Sequence, residues 1–202
     1  DIRRDSQAMF EGLEISKNTA LCSEWMNQWP VLFLSFKDVD GNCFENAYEM
    51  LKFALSQACI THTYLQQDPK IDDTFQKKFS ALKDQTASLQ EVKTSILILM
   101  QMMRDHYGKP VILLIDEYDV PIAKASAKGY YPEMLEVIKG LMSTALKDND
   151  ALRFAVITGC LRIAKESIFT GTNNFVSDTI SSSHLNEYFG FTQADVDQIL
   201  ED

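Results

Sequence analysis

The sequence predicts an α/β fold in which helices cover a mainly parallel sheet. Three continuous apolar runs, at residues 31–36, 111–115 and 154–157, are typical of strands that are buried on both faces. Segments with helical periodicity separate these runs, which indicates the crossover connections that parallel strands require. A chain of 202 residues with 46% hydrophobic and 24% charged residues has the size and composition of one globular domain with a substantial core.

The composition argues against several classes of protein. With 29 acidic against 19 basic residues, the net charge of −10 argues against a general nucleic-acid surface, which needs clustered Lys and Arg. No apolar segment is long enough to span a bilayer, and no signal peptide is recognisable. The 4 cysteines lack C-x-x-C spacing and the 3 histidines form no metal pattern with them, so we expect reduced thiols in a cytoplasmic protein.

In the first half of the chain, one strand is predicted between helices. The predicted elements are a short helix at 6–12, the strand at 31–36, a polar loop at 37–42, a long helix at 44–65 and a shorter helix at 73–82. Gly12 is expected to end the first helix in a left-handed cap. Apolar side chains recur at helical spacing in the long helix, which indicates that one side of it faces the core.

In the second half, two strands follow a methionine-rich helix. The predicted elements are, in chain order, a helix from 88 to 107, a strand at 111–115, a loop at 124–129, a helix at 133–147, a strand at 154–157, a fourth strand at 176–180 and a final helix from 192. Ser88 and Glu91 form a capping-box pattern, and Gly108 suits the end of the same helix.

Two adjacent acids follow the central apolar run. Asp116 and Glu117 come directly after residues 111–115, and in open α/β sheets ligands bind outside the carboxyl ends of the strands. The pattern resembles the Walker B motif of ATPases, where the first acid holds Mg²⁺, usually through water, and the second polarises the attacking water. A buried strand that ends in solvated acids is the alternative, and a metal-binding cluster that includes Asp119 is a weaker one.

A hydroxyl and two basic residues follow the third apolar run. Thr158 can act as a polar sensor that orients the attacking water or contacts the γ-phosphate. A local hydrogen bond that ends the strand is the simpler interpretation of Thr158. Arg162 and Lys165 can neutralise charge on a transferred phosphoryl group, or they are ordinary surface charges.

The phosphate-binding part of an ATPase site is not recognisable. The motif G-x-x-x-x-G-K-[ST] occurs nowhere in residues 1–202, and the Gly108-Lys109 pair is followed by Pro110. The sequence also lacks the G-x-S-x-G nucleophile elbow and the H-E-x-x-H metal motif.

Several blocks of the sequence resemble one protein family. VILLIDEYDVPI, at residues 111–122, is similar to the LIDEYDxPI signature of a family of bacterial predicted AAA-ATPase-like proteins. Residues 152–174 resemble the family's TGxxRxxKxSIFxGxNN block, and residues 189–192 resemble its FGFT element. Residues 10–13 and 29–31 resemble its N-terminal region, so the resemblance extends over nearly the whole chain.

The family resemblance implies a P-loop NTPase domain of the ASCE division, with sheet order 5-1-4-3-2. The three apolar runs would be strands 2, 3 and 4. Members usually carry a Walker A loop upstream, and many carry a C-terminal nuclease-like domain of the PD-D/E-x-K class. Residues 1–202 are therefore expected to be a truncated AAA-ATPase-like domain that lacks the Walker A strand and loop, with the next helical region starting near 192–202. Missing strand 1 would leave a hydrophobic slot and unpaired strand edges.

The resemblance also implies roles for particular residues. We expect an ATPase core fragment with ATP and Mg²⁺ as cofactors, in which Asp116 holds Mg²⁺, Glu117 positions water, Thr158 contacts the nucleotide as a sensor and Arg162 stabilises charge. By itself the chain is expected to bind ATP poorly or not at all. A degenerate ATPase fold that serves as a non-catalytic interaction module is the main alternative, and a metal-dependent nuclease is far less favoured. The sequence predicts neither a partner protein nor an oligomeric state.

Overall fold

Three parallel strands form one sheet. The computed structural model describes residues 1–3, 5–160, 176–179 and 191–201. The strands are β1 (Val31–Ser35), β2 (Val111–Asp116) and β3 (Leu152–Ile157), in the spatial order β1-β2-β3. The strands predicted at the three apolar runs and their parallel arrangement are therefore confirmed.

The central strand β2 sets the register of both neighbours. Ile115 pairs with Leu34 of β1 and with Ile157 of β3, and one irregularity lies between Val111 and Ile112 on the β3 side. The order β1-β2-β3 is that of strands 2, 3 and 4 in the predicted 5-1-4-3-2 sheet. The described sheet is therefore compatible with the P-loop arrangement.

The chain divides into two compact units, Asp1–Thr170 and Gly171–Asp202. The described helices of the first unit are α1 (Gln7–Phe10), α2 (Thr19–Trp25), α3 (Phe44–Thr61), α4 (Asp73–Lys83), α5 (Leu89–Lys93), α6 (Ser95–Tyr107), α7 (Val120–Lys128) and α8 (Tyr131–Leu146), with 3-10 turns at Glu14–Lys17 and Thr63–Leu65. In the ranges that the structure describes, none of the helices has both the length and the apolarity needed to cross a membrane.

Helices α3, α6 and α8 cover one face of the sheet. They pack on β1, β2 and β3 respectively, and α8 also contacts the other two helices. The strand side chains that face them are buried, because successive side chains of a strand point to opposite faces. These buried side chains are Leu32, Leu34, Val111, Leu113 and Ile115.

The opposite face of the sheet is apolar and largely uncovered by the described residues. Phe33, Phe154 and Val156 are 57%, 54% and 44% exposed. Trp25 of α2 reaches this face, where its ring lies edge-on to Phe154 at 6.2 Å. The expectation that helices bury both faces is therefore wrong for the described part of the chain. A continuous apolar run shows that both faces of a strand avoid water, but it does not show which segment covers each face.

Most predicted helices are confirmed, with different limits. Ser88 and Glu91 make the reciprocal hydrogen bonds of a capping box, as predicted, but the helix that they open breaks at Thr94 into α5 and α6. The predicted loop at 124–129 is wrong, because residues up to Lys128 continue helix α7 and only Gly129, in the left-handed conformation, ends it. Helix α2 has no counterpart among the predicted elements.

The second unit contains the predicted final helix, α9 (Gln193–Glu201). The amide of Val196 donates to the carbonyl of Thr192, which places Thr192 at the start of this helix as expected. The predicted strand at 176–180 is wrong for residues 176–179, which have no regular secondary structure. Ile180 lies outside the described residues.

The loop after β1 is fastened to the end of α7. The Lys128 ammonium lies 2.6 Å from the carboxylate of Asp40, and this hydrogen bond lowers the pKa of that carboxyl group. The hydroxyl of Tyr130 donates to the carbonyl of Gly41 at 2.9 Å. The segments that follow β1 and β2 are thus held together at the carboxyl edge of the sheet.

Gly41→Ala should destabilise the protein because a β-carbon at Gly41 would lie 2.3 Å from the backbone nitrogen of Ala47. Backbone atoms of α3 cannot yield as a flexible side chain can, so we expect a loss of about 3 kcal/mol in the free energy of unfolding, the upper end of overpacking effects. Urea titrations followed by circular dichroism measure this difference.

The matched control is Gly140→Ala in the interior of α8. Its β-carbon would meet the flexible side chain of Lys93 at 3.0 Å, and alanine is the better helix former by about 1 kcal/mol. Its stability should stay within about 1 kcal/mol of wild type. Equal stability of the two variants would contradict the close approach of Gly41 to α3.

Candidate functional site

Asp116 and Thr158 lie side by side at the carboxyl edge of the sheet. Asp116 is the last residue of β2, and Thr158 directly follows β3. Because Ile115 is paired with Ile157, the next residue of each strand is the neighbour of the other. The Thr158 hydroxyl donates a hydrogen bond of 2.5 Å to Asp116 Oδ1. Two of the predicted site residues are therefore in direct contact.

Backbone hydrogen bonds extend the β2–β3 pairing beyond the strands. The amide of Thr158 donates to the carbonyl of Ile115 at 2.8 Å, and the amide of Tyr118 donates to the carbonyl of Thr158 at 3.2 Å. Thr158 is exposed and Asp116 is half-buried, so a ligand in solution can approach both side chains. The position of the Thr158 hydroxyl is fixed by its own backbone as well as by Asp116.

Glu117 has a left-handed backbone conformation, with φ of 54°. For a residue with a β-carbon this conformation costs roughly 1 kcal/mol or more, and such strain clusters at functional sites. The turn also ends the regular alternation of β2, and the amide of Val120 donates to the Glu117 carbonyl at 3.2 Å as the chain enters α7. The half-buried Glu117 thus lies directly between the strand and the helix.

Asp119 joins the loops that follow β2 and β3, a role that the sequence analysis missed. It is only 2% exposed, and its Oδ2 accepts a hydrogen bond of 2.9 Å from the amide of Cys160. Gly159 lies between Thr158 and Cys160. A β-carbon on Gly159 would lie 2.6 Å from Asp119 Oδ1 and 2.6 Å from the ring of Tyr118. Any larger residue at position 159 would therefore require the side chains of Asp119 or Tyr118 to move. The signal in the sequence is Gly159, two residues after the end of β3, together with Asp119, three residues after Asp116.

The charges at the strand ends suit a hydrated divalent cation. Within the part of the chain that the structure describes, no basic side chain forms an ion pair with Asp116 or Glu117. Protein-bound Mg²⁺ usually keeps several waters and is held by one or two carboxylates, so an accessible carboxylate fixed by a hydroxyl fits that ion. Of the two acids, Asp116 has a carboxylate whose orientation is fixed, by the hydrogen bond from Thr158.

An all-protein metal cluster is not formed by these acids. Among residues 1–3, 5–160, 176–179 and 191–201, no group of three His, Cys, Asp or Glu side chains is arranged to hold a metal ion. The alternative of a cluster of Asp116, Glu117 and Asp119 is therefore wrong. Asp119 is directed to the loop after β3 instead. Arg162 and Lys165, the basic residues predicted near the site, lie outside the described residues.

Comparison with known proteins identifies the family. A family model described as predicted AAA-ATPase matches residues 2–169. The chain belongs to the predicted AAA-ATPase family. The resemblance found in the sequence motifs is thereby confirmed. This match covers both strand ends and all the residues that the sequence analysis placed in the site.

One relative of this AAA-ATPase family member is an uncharacterized protein from the vnfD 5' region of Azotobacter chroococcum. It is 36% identical to the chain over 96 residues, which are 46% of this chain and 18% of the relative. The chain thus matches about a fifth of the length of that curated relative. No solved structure matches the chain.

Glu117→Gly tests the strained turn. Glycine adopts the left-handed conformation without strain, but it also gives the unfolded chain more freedom, so the two effects oppose each other. We expect a free energy of unfolding equal to or above that of wild type. The matched control, Glu49→Gly, lies in the interior of α3 and should lose about 1 kcal/mol. Equal losses in the two variants, measured by urea unfolding, would contradict strain at Glu117.

Proposed function

We propose that the chain carries the metal-binding and water-activating part of an ATP-hydrolysing domain in a cytoplasmic protein. The observation that carries the proposal is the hydrogen bond of 2.5 Å between Thr158 and Asp116. It joins the carboxyl ends of two adjacent parallel strands, which is where open α/β sheets bind ligands. Membership of the predicted AAA-ATPase family supports the same assignment.

Each residue has a separate role in this proposal. Asp116 would hold Mg²⁺, and the Thr158 hydroxyl would keep the Asp116 carboxylate in place. Because Thr158 lies at the carboxyl edge of the sheet, its hydroxyl would also contact the nucleotide as a sensor. When bound, Mg²⁺ neutralises charge on the nucleotide phosphates. Glu117 would accept a hydrogen bond from the attacking water and orient it as a general base. Arg162 remains the weaker candidate for stabilising charge on the transferred phosphoryl group.

The phosphate-binding loop has no match within residues 1–202. We propose that the same protein also contains a Walker A strand and loop. A C-terminal nuclease-like domain, which many members of the family carry, would belong to it as well. The exposed apolar face that contains Phe33, Phe154 and Val156 supports this proposal, because a helix that connects to the further strand could pack on that face and bury it. Burial of apolar area is favourable by about 25 cal/mol per Å².

A second candidate function is a non-catalytic interaction module. The same exposed apolar face favours it, since monomeric proteins rarely leave large contiguous apolar patches in water. In that case the Asp116–Thr158 hydrogen bond would only stabilise the ends of β2 and β3.

Glu117→Gln separates the two functions in a form of the protein that includes a phosphate loop. The amide keeps the shape of the side chain but is not a base, so ATP binding should be retained while turnover falls by about 100-fold or more. A phosphate-release assay measures turnover, and calorimetry measures binding. The control Glu133→Gln, on the exposed side of α8, should leave both unchanged.

Turnover that is unaffected by Glu117→Gln would remove Glu117 from the mechanism. No ATP-dependent turnover in the wild-type protein, with or without Mg²⁺, would favour the interaction module.

A further inference from the structure

Ser35 is the residue of β1 that lies next to Asp116. The register pairs Ser35 with Asp116, and the amide of Phe36 donates to the Asp116 carbonyl at 3.0 Å, so the pairing continues past this position. On the other side of Asp116, the Thr158 hydroxyl makes its hydrogen bond. A hydroxyl, a carboxylate and a second hydroxyl therefore form one row across three adjacent strands.

The Ser35 and Asp116 side chains project from the same face of the sheet. Leu34 and Phe36 are buried on the helix-covered side, so Ser35 between them points the other way. Asp116 follows the buried Ile115 and alternates in the same manner. The outward residues that precede Ser35 in β1 are Val31 and Phe33, so Ser35 is the polar exception on that face of the strand.

The two hydroxyls differ in how they reach Asp116. Thr158 bonds it directly, whereas the only hydrogen bond of the Ser35 hydroxyl within the described residues is a long one of 3.5 Å, which its oxygen accepts from the amide of Lys37. Adjacent strands are about 4.8 Å apart, and one water can bridge two oxygens at that separation with two hydrogen bonds of about 2.8 Å. No group in the described ranges accepts the proton of the Ser35 hydroxyl, which is therefore available for such a water.

We propose that Ser35 is a positioning residue for the hydrated cation at Asp116. Its hydroxyl holds one of the waters that Mg²⁺ retains, on the side of Asp116 opposite Thr158. This inference rests on the proposed function, because it assumes that Asp116 is the residue that holds the cation. It adds that β1, as well as β2 and β3, contributes a side chain to the cation site, and that this side chain acts through water.

The test uses Mn²⁺ as a paramagnetic probe with the 202-residue chain. Mn²⁺ broadens the amide NMR signals of nearby residues, so the readout is binding and requires no turnover. We expect broadening centred on Ser35, Asp116 and Thr158. Asp116→Asn should abolish it, and Ser35→Ala should raise the Mn²⁺ concentration needed for half-broadening about 3- to 10-fold, the effect of one lost water-mediated hydrogen bond.

Two further variants serve as controls. Ser35→Thr keeps the hydroxyl on a residue that strands accept, so it should restore the wild-type concentration dependence. Ser126→Ala makes the same chemical change on the exposed side of α7 and should have no effect. The spectra themselves report whether each variant is folded.

The outcomes distinguish this inference from the function on which it rests. Broadening at Asp116 and Thr158 that is unchanged by Ser35→Ala would overturn the role of Ser35 and leave the proposed function standing. Broadening that is absent around Asp116 in the wild-type chain would contradict the cation site itself, and with it both proposals.

Discussion

The pairing of β2 with β3 at their carboxyl ends is the constraint on which the site depends. Backbone hydrogen bonds of Thr158 with Ile115 and Tyr118 carry the ladder past the last strand residues. The Thr158 side chain is then directed onto Asp116, and the buried Asp119 fastens the next turn through the amide of Cys160. The polar side chains at this edge are therefore held by the backbone of the sheet, as an accurate binding site requires.

Two features of the molecule reduce its stability and are most simply explained by function. Glu117 keeps a left-handed conformation that glycine would adopt without strain. The sheet also exposes Phe33 and Phe154 on a face that folding would ordinarily bury. Proteins break such local rules mainly at functional and binding surfaces. Glu117 directly follows Asp116, which is part of the row of polar residues. Phe33 and Phe154 lie on the sheet face from which that row projects.

The sequence was sufficient for the strands and for placing Asp116 and Thr158 at the carboxyl ends of two of them, because apolar runs mark buried strands and the polar residues that follow mark where each strand ends. The sequence did not predict the register in which the strands pair. The alignment of Ser35 with Asp116 and the hydrogen bond from Cys160 to Asp119 depend on how distant segments pair, which no local pattern specifies. The predicted loop at 124–129 was wrong because its alanines and lysines favour a helix, which continues until Gly129 ends it.

The most direct test of the cation site is anomalous diffraction from crystals of the protein with Mn²⁺ and a non-hydrolysable ATP analogue, in a form that includes a phosphate loop. The account predicts an anomalous peak one water molecule away from the Asp116 carboxylate, with the Thr158 hydroxyl still bonded to that carboxylate. A Mn²⁺ peak held by other residues, with Asp116 bonded only to Thr158, would contradict it and would leave these side chains a structural role alone.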